Sequence, residues 1–370
     1  MIKKFILVIL VLLSGNLAFA QTAGSWPIFR GNQQLTGVSR NELPEQPKLL
    51  WTFQTGDNIK SAPVVDQGKV VIGSTDGVVY CLDLQGKLVW KFETGNAIEA
   101  PALIHKNTVY IGNLNGTMYA IDLGTGKKLW EYETENQIIG SANWWETGST
   151  TYILFGSYDY YLHCVDAQTG AVKWKYESDN FINGAPACNN GKTCFGGCDG
   201  FLHVVDIITG KADKKIDVAT YVPGSPALEN NFAYLGDYDG RFFQVDIKND
   251  KTSWEWMDDK TTLPFIASPA VSGNRLFTAN HNKFLYSFDK ATGKKEWEYN
   301  TGNRVEASPV VAGNKVVVAN MRGDLAFVNV SDGKMAWNYQ IGSQIISNPA
   351  VAGGRVYVGA YDGNIYCFGK

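Results

Sequence analysis

The chain has 370 residues, a formal net charge of −3, 39 glycines and 13% aromatic residues. With no basic stripe it is not built to hold nucleic acid, and its glycine and aromatic content suits many short strands joined by tight turns. Six cysteines and four histidines are present, but the spacings C-x5-C and C-x3-C match no common zinc pattern and no histidine stands suitably beside them.

The chain opens with Lys3 and Lys4, the apolar run "FILVILVLL" and "AFA" before Gln21. This reads as a secretory signal over 1–20, cut after Ala20. Removing the two lysines leaves a net charge of −5. The apolar run is short for a membrane span, and no other stretch could cross a bilayer. No cysteine lies near the cut, so no lipid anchor is expected there. Residues 21–47 form a lead-in. "KLLWTFQT" (48–55) is the first strand of a pattern that then repeats to the end.

A tryptophan opens the outer strand of nearly every repeat: Trp51, Trp90, Trp130, Trp174, Trp254, Trp297 and Trp337, with Lys214 in the fifth place. The gaps are 39, 40, 44, 40, 40, 43 and 40 residues. A period near 40 made only of strands is an all-β propeller with one four-stranded antiparallel sheet per period. Each repeat opens its innermost strand with a small residue and usually a proline, as in "SAPVV" (61–65), with "SANWW" (141–145) as the exception. Asp-Gly and Asn-Gly pairs such as Asp76-Gly77 supply positive φ for tight hairpins. Eight openings and eight outer strands are counted, but the first outer strand precedes the first opening. The last repeat lacks its own outer strand, so 48–55 should complete it and close one eight-bladed domain spanning 48–370.

The turn before each outer strand reads "AIDLGTGKKLW" (120–130), "CVDAQTGAVKW" (164–174) or "SFDKATGKKEW" (287–297). This resembles the docking motif of the pyrroloquinoline-quinone-type (PQQ-like) repeat. In it Asp shapes the turn, Gly leaves a flat face for the next blade's indole, and Trp buries area between blades. The motif assigns the inter-blade glycines Gly86, Gly126, Gly170, Gly210, Gly293 and Gly333. Lys214 replaces Trp and Asp250 replaces Gly, so two junctions should be weaker. The segment "WPIFRGNQQLTGVS" (26–39) is similar to the lead-in of exported members of this superfamily, and a capping role is implied.

The resemblance implies one of two functional classes. One binds PQQ with calcium and oxidises alcohols or sugars. The other has no cofactor and serves as a binding platform, as in BamB-like proteins of the outer-membrane barrel-assembly machinery. A dehydrogenase of this superfamily needs a carboxylate base, oxygen ligands for calcium and flat walls around the quinone, often with an adjacent-cysteine disulfide. No Cys-Cys pair or haem motif is present. Lys60, Glu99, Asn183, Arg304 and Glu306 precede the opening residues and mark a channel mouth. The expectation is therefore a monomeric, exported, cofactor-free and non-enzymatic scaffold for protein partners in the cell envelope. A PQQ/calcium oxidoreductase and a glycan-binding propeller are the alternatives. Irregular loops at one end, with Phe181, Tyr221, Trp256, Met257, Asp258, Asp259, Phe265 and Arg304, are the expected partner-binding rim. Trp144, Trp145, Tyr158, Tyr160 and Tyr161 gather in one blade, as blade core or as an exposed patch. Cys81, Cys164 and Cys367 share one repeat position and read as core, while Cys188, Cys194 and Cys198 would allow one disulfide.

Overall fold

The computed structural model describes residues 24–370, so the segment read as an export signal lies outside the described residues. These residues form no helix, and hence none long and apolar enough to cross a membrane. They form eight sheets, seven of four strands and one of five. In blade 1 the strands, from the innermost outwards, are Val64–Asp66, Lys69–Gly73, Val78–Asp83 and Leu88–Glu93. The two middle strands lie between neighbouring blades, so "VVIG" and "VVYCL" are apolar almost throughout. The outer strand has solvent on its far side and alternates. The hairpin between the middle strands is set by Gly77 at φ +82°, with Asp76 accepting the Val78 amide at 2.9 Å.

Innermost strands of neighbouring blades lie side by side, and the last, Ala350–Ala352, meets the first, Val64–Asp66. Blade 8 takes its outer strand from Lys48–Gln54, antiparallel to Asn364–Gly369, with Thr52 opposite Tyr366. The ring is an eight-bladed propeller closed by its N-terminal strand.

Six of the eight seams between blades follow one rule. Each docking indole lies on the turn glycine of the following blade, so each glycine receives the preceding blade's indole rather than the next one's. A Cβ on Gly126 would sit 2.8 Å from the Trp90 ring, and one on Gly210 2.5 Å from Trp174. Both glycines have positive φ, +72° and +69°. The Trp90 and Trp174 indole N–H groups donate to Leu123 O at 2.9 Å and Ile207 O at 2.8 Å. Trp51, Trp130, Trp254 and Trp297 dock likewise on Gly86, Gly170, Gly293 and Gly333. Trp337 has no such glycine, because blade 8 has no turn leading to its outer strand, and it packs on Phe368 at 5.7 Å between centroids. The two departures fall on one junction, not two: Lys214 of blade 4 reaches Asp250 of blade 5 at 2.7 Å and donates to Lys248 O at 2.9 Å.

The lead-in runs round the channel side of the ring. Trp26 exchanges two backbone hydrogen bonds with Val65 of blade 1 (2.6 and 2.9 Å). The carbonyls of Pro27, Gln33, Gln34, Thr36 and Gly37 then accept the amides of Ile104, Cys188, Leu228, Val271 and Val311, each at 2.7 to 2.9 Å. Val38–Ser39 adds the fifth strand, parallel to Val310–Ala312 of blade 7, and the Ser39 hydroxyl donates to Val351 O of blade 8 at 3.0 Å. In blade 3 Asn143 donates to both Gln33 O and Pro186 O at 2.8 Å. That accounts for asparagine at the opening of "SANWW". The lead-in thereby satisfies inner-edge amides that would otherwise be left bare.

Candidate functional site

At the end opposite the lead-in, two loops per blade form the rim. They are held by a repeated backbone bond, as from Tyr158 to Gln137 O (2.9 Å) and from Tyr238 to Tyr221 O (3.0 Å). Inside the rim a funnel of about 220 Å³ narrows onto Phe29 of the lead-in. Lys60, Glu99, Asn183 and Glu306 all line it, so the structure brings together four of the five channel-mouth residues. Arg304 stands further out, 3.9 Å from Glu306. The same ring position is Ile139, Pro223, Ile266 or Ile346 in the other blades, so charge is confined to blades 7, 1 and 2. Deeper down, hydroxyls link the blades: Ser225 accepts the Ala185 amide at 2.7 Å and Ser268 the Ser225 amide at 2.9 Å.

The funnel charges are matched. Lys60 holds Glu99 at 2.6 Å, and that hydrogen bond keeps the ammonium above its ordinary range against partial burial. Glu306 lies 3.3 Å from His281, which, with Arg304 and Lys60, holds its carboxyl below the usual range despite burial. Calcium takes 6–8 oxygen ligands, and here each funnel carboxylate already faces a cation or imidazole. Among the described residues no group of three or more His, Cys, Asp or Glu could hold a metal ion. Both funnel carboxylates, Glu99 and Glu306, are thus already engaged by neighbouring side chains.

The rim is divided in the same way. Of the twelve exposed large apolar side chains among the described residues, five stand at this end, Tyr160, Tyr221, Tyr238, Met257 and Leu263, and these five lie between residues 160 and 263. Tyr221 and Tyr238 are 52% and 54% exposed. Phe181 is half-buried, stacked on Tyr158 at 4.6 Å and near Tyr160 at 5.2 Å. Together they make an aromatic arc over blades 3 to 6.

Several expected rim residues are placed elsewhere. Phe265 is fully buried: it occupies the inward position held by Ile59 and Ile98 in other blades and lies on Gly236. It cannot belong to a docking surface. Trp256 is half-buried between Phe265 and Tyr286. Asp258 shapes its own loop by accepting the amides of Lys260 (2.9 Å) and Thr261 (3.3 Å), while Asp259 is exposed. Arg304 is on the far side, in blade 7. Tyr238 was missed by sequence reasoning; the signal was a tyrosine in the turn "GDYDG", where strand alternation gives it no core face. In blade 3, Trp144 is buried, stacked on His105 at 4.0 Å, and only Tyr160 of the five aromatics is exposed.

His163 and His203 are buried structural groups. Each Nε2 faces a carboxylate, Asp159 at 3.0 Å and Asp199 at 2.7 Å, and each Nδ1 faces a tyrosine hydroxyl, Tyr132 at 3.0 Å and Tyr176 at 2.9 Å. An ionised carboxylate only accepts, so Nε2 carries the proton. All six cysteines are free thiols. Five are buried, and Cys198 accepts a 3.1 Å bond from Asn183.

Three solved structures share this architecture. BamB from Moraxella catarrhalis has 18% identity and a TM-score of 0.73, with 88% of this chain and 98% of that one covered. The computationally designed protein Ika8 has 17% identity and a TM-score of 0.76, with 87% and 100% covered. Quinohemoprotein alcohol dehydrogenase from Comamonas testosteroni has 15% identity and a TM-score of 0.78, with 95% and 81% covered. At such identities these likenesses speak for the fold alone. No curated protein sequence matches significantly. Residues 41–256 and 285–370 match the family model described as outer membrane protein assembly factor BamB, and the chain belongs to that family.

Proposed function

We propose that this protein is an exported, non-enzymatic scaffold of the cell envelope that docks a protein partner on the aromatic arc of its rim. The observation that carries the reading is the segregation of exposed apolar side chains at this end into blades 3 to 6. Solvent-facing aromatics gathered on rigid loops resemble the cores of protein interfaces. Three further features favour the reading: the family match, the paired charges of the funnel, and the signal-like segment 1–20. The scaffold is read as a monomer working without a cofactor.

Photo-crosslinkers placed at Tyr221 and Tyr238 test this, with Leu129, exposed on an outer strand, as control. The two rim positions should trap one discrete envelope protein, and the control should not. Equal trapping from all three, or none from the rim, would exclude the arc. The competing oxidoreductase reading requires calcium-dependent uptake of pyrroloquinoline quinone by the purified protein. A glycan-binding rim would instead give hits on a glycan array that disappear in Tyr221→Ser.

A further inference from the structure

The Lys214–Asp250 seam lies at the end of the ring opposite the rim. In strand register Lys214 faces Val204, as Trp174 faces Cys164 and Trp90 faces Cys81. Lys214 thus stands where six other seams seat an indole on a glycine. Its side chain does not refill that volume. It turns to Asp250 and to the carbonyl of Lys248, one residue beyond the turn position that accepts the indole N–H elsewhere. A cavity of about 300 Å³ opens at this place.

Its walls have a definite chemistry. Cys194, Val204, Leu228 and Ile247 form an apolar interior shared by the two blades. Cys194 deepens it, since the corresponding place carries a ring in blades 2, 5, 6 and 8 (Tyr110, Tyr234, Phe277 and Tyr357), with Tyr110 against Trp130 at 5.7 Å, and a branched aliphatic side chain in the others. The mouth carries three lysines and one aspartate. Lys192 is held by Asp213 at 3.1 Å and Lys214 by Asp250 at 2.7 Å, which leaves the exposed Lys248 as the cation without an acidic partner.

We infer that the seam between blades 4 and 5 is a binding slot for a small planar aromatic molecule carrying an anionic group. The flat apolar part enters the space that an indole fills in the other seams, and the anion meets Lys248. Burial of the ring drives entry, and the unpaired ammonium selects the charged form.

Calorimetric titration and ligand-observed NMR with indole-3-acetate and with neutral indole test this on the full chain. Both probes should bind, indole-3-acetate more tightly. Lys248→Ala should weaken indole-3-acetate by about tenfold, roughly one hydrogen-bonded charge pair, and leave indole unchanged. The double variant K214W/D250G rebuilds the indole-on-glycine joint and should abolish binding of both probes while keeping a cooperative melt. Should it not fold, Cys194→Tyr, which copies Tyr110, fills the slot from the other side and should have the same effect. Failure of both probes to bind at millimolar concentration would overturn the inference, as would binding that survives the filled slot. None of these outcomes bears on the rim.

Discussion

Blade 4 is joined to its two neighbours by different chemistry. On one side Trp174 lies flat on Gly210, and its N–H reaches a turn carbonyl. On the other Lys214 reaches Asp250, whose φ of +53° keeps the glycine-like turn without a glycine. Both joints hold the blades in the same ring. The first excludes water by area and the second matches charge at a partly exposed edge. The backbone turn is thus the constant of the motif, and the filling of the seam is free to vary.

The largest effect that would sharpen this contrast is truncation of an indole. Trp90→Ala should cost about 3–5 kcal/mol, since a buried ring is lost and a cavity remains. Lys214→Ala should cost about 1 kcal/mol or less, the ordinary worth of a partly exposed ion pair. Chemical denaturation of the two variants decides this, and equal losses would break the comparison. Gly126→Ala comes next. Its Cβ would meet Trp90 at 2.8 Å on a backbone at φ +72°, so a loss of about 1–3 kcal/mol is expected even though the indole is retained. A loss near zero would mean that the seam yields.

The smallest effect lies inside blades 3 and 4 and responds to pH. Burial alone would raise the Asp159 and Asp199 carboxyls, but hydrogen bonds from His163 and His203 overcome it and hold both below the ordinary range. A carboxyl depressed in the folded state contributes fully above its unfolded value near 3.9. The contribution is lost as pH falls through the folded value. The acid limb of stability should therefore steepen below about pH 4, and Asp199→Asn should flatten it. An unchanged acid limb in that variant would remove the paired histidines from the account.

Much of the ring is legible in the sequence. The tryptophan period, the Asp-Gly turns and the unfinished last repeat specify eight blades and their closure, because each blade restates the same local physics. The site was less legible. Phe265 sits in an irregular loop, which suggested exposure, yet its phase in the repeat equals that of Ile59 and puts it in the core. Lys214 and Asp250 looked like two separate defects because they belong to different repeats. Only the rule that an indole docks forward onto the following turn makes them one joint. The path of the lead-in could not be read from residues 26–39, because its partners are backbone amides, which carry no signature in side-chain identity.

The closing strand also imposes an order in time. Thr55 bonds to Gly363, 308 positions further along the chain. A chain delivered from its N-terminus must hold Lys48–Gln54 unpaired until Asn364–Gly369 exists, and the lead-in has no complete circuit to follow before then. Contacts so distant in sequence are formed late and at high entropic cost. Completion of the ring therefore waits for the final strand to be made, and Lys48–Gln54, from the other end of the chain, serves as its latch.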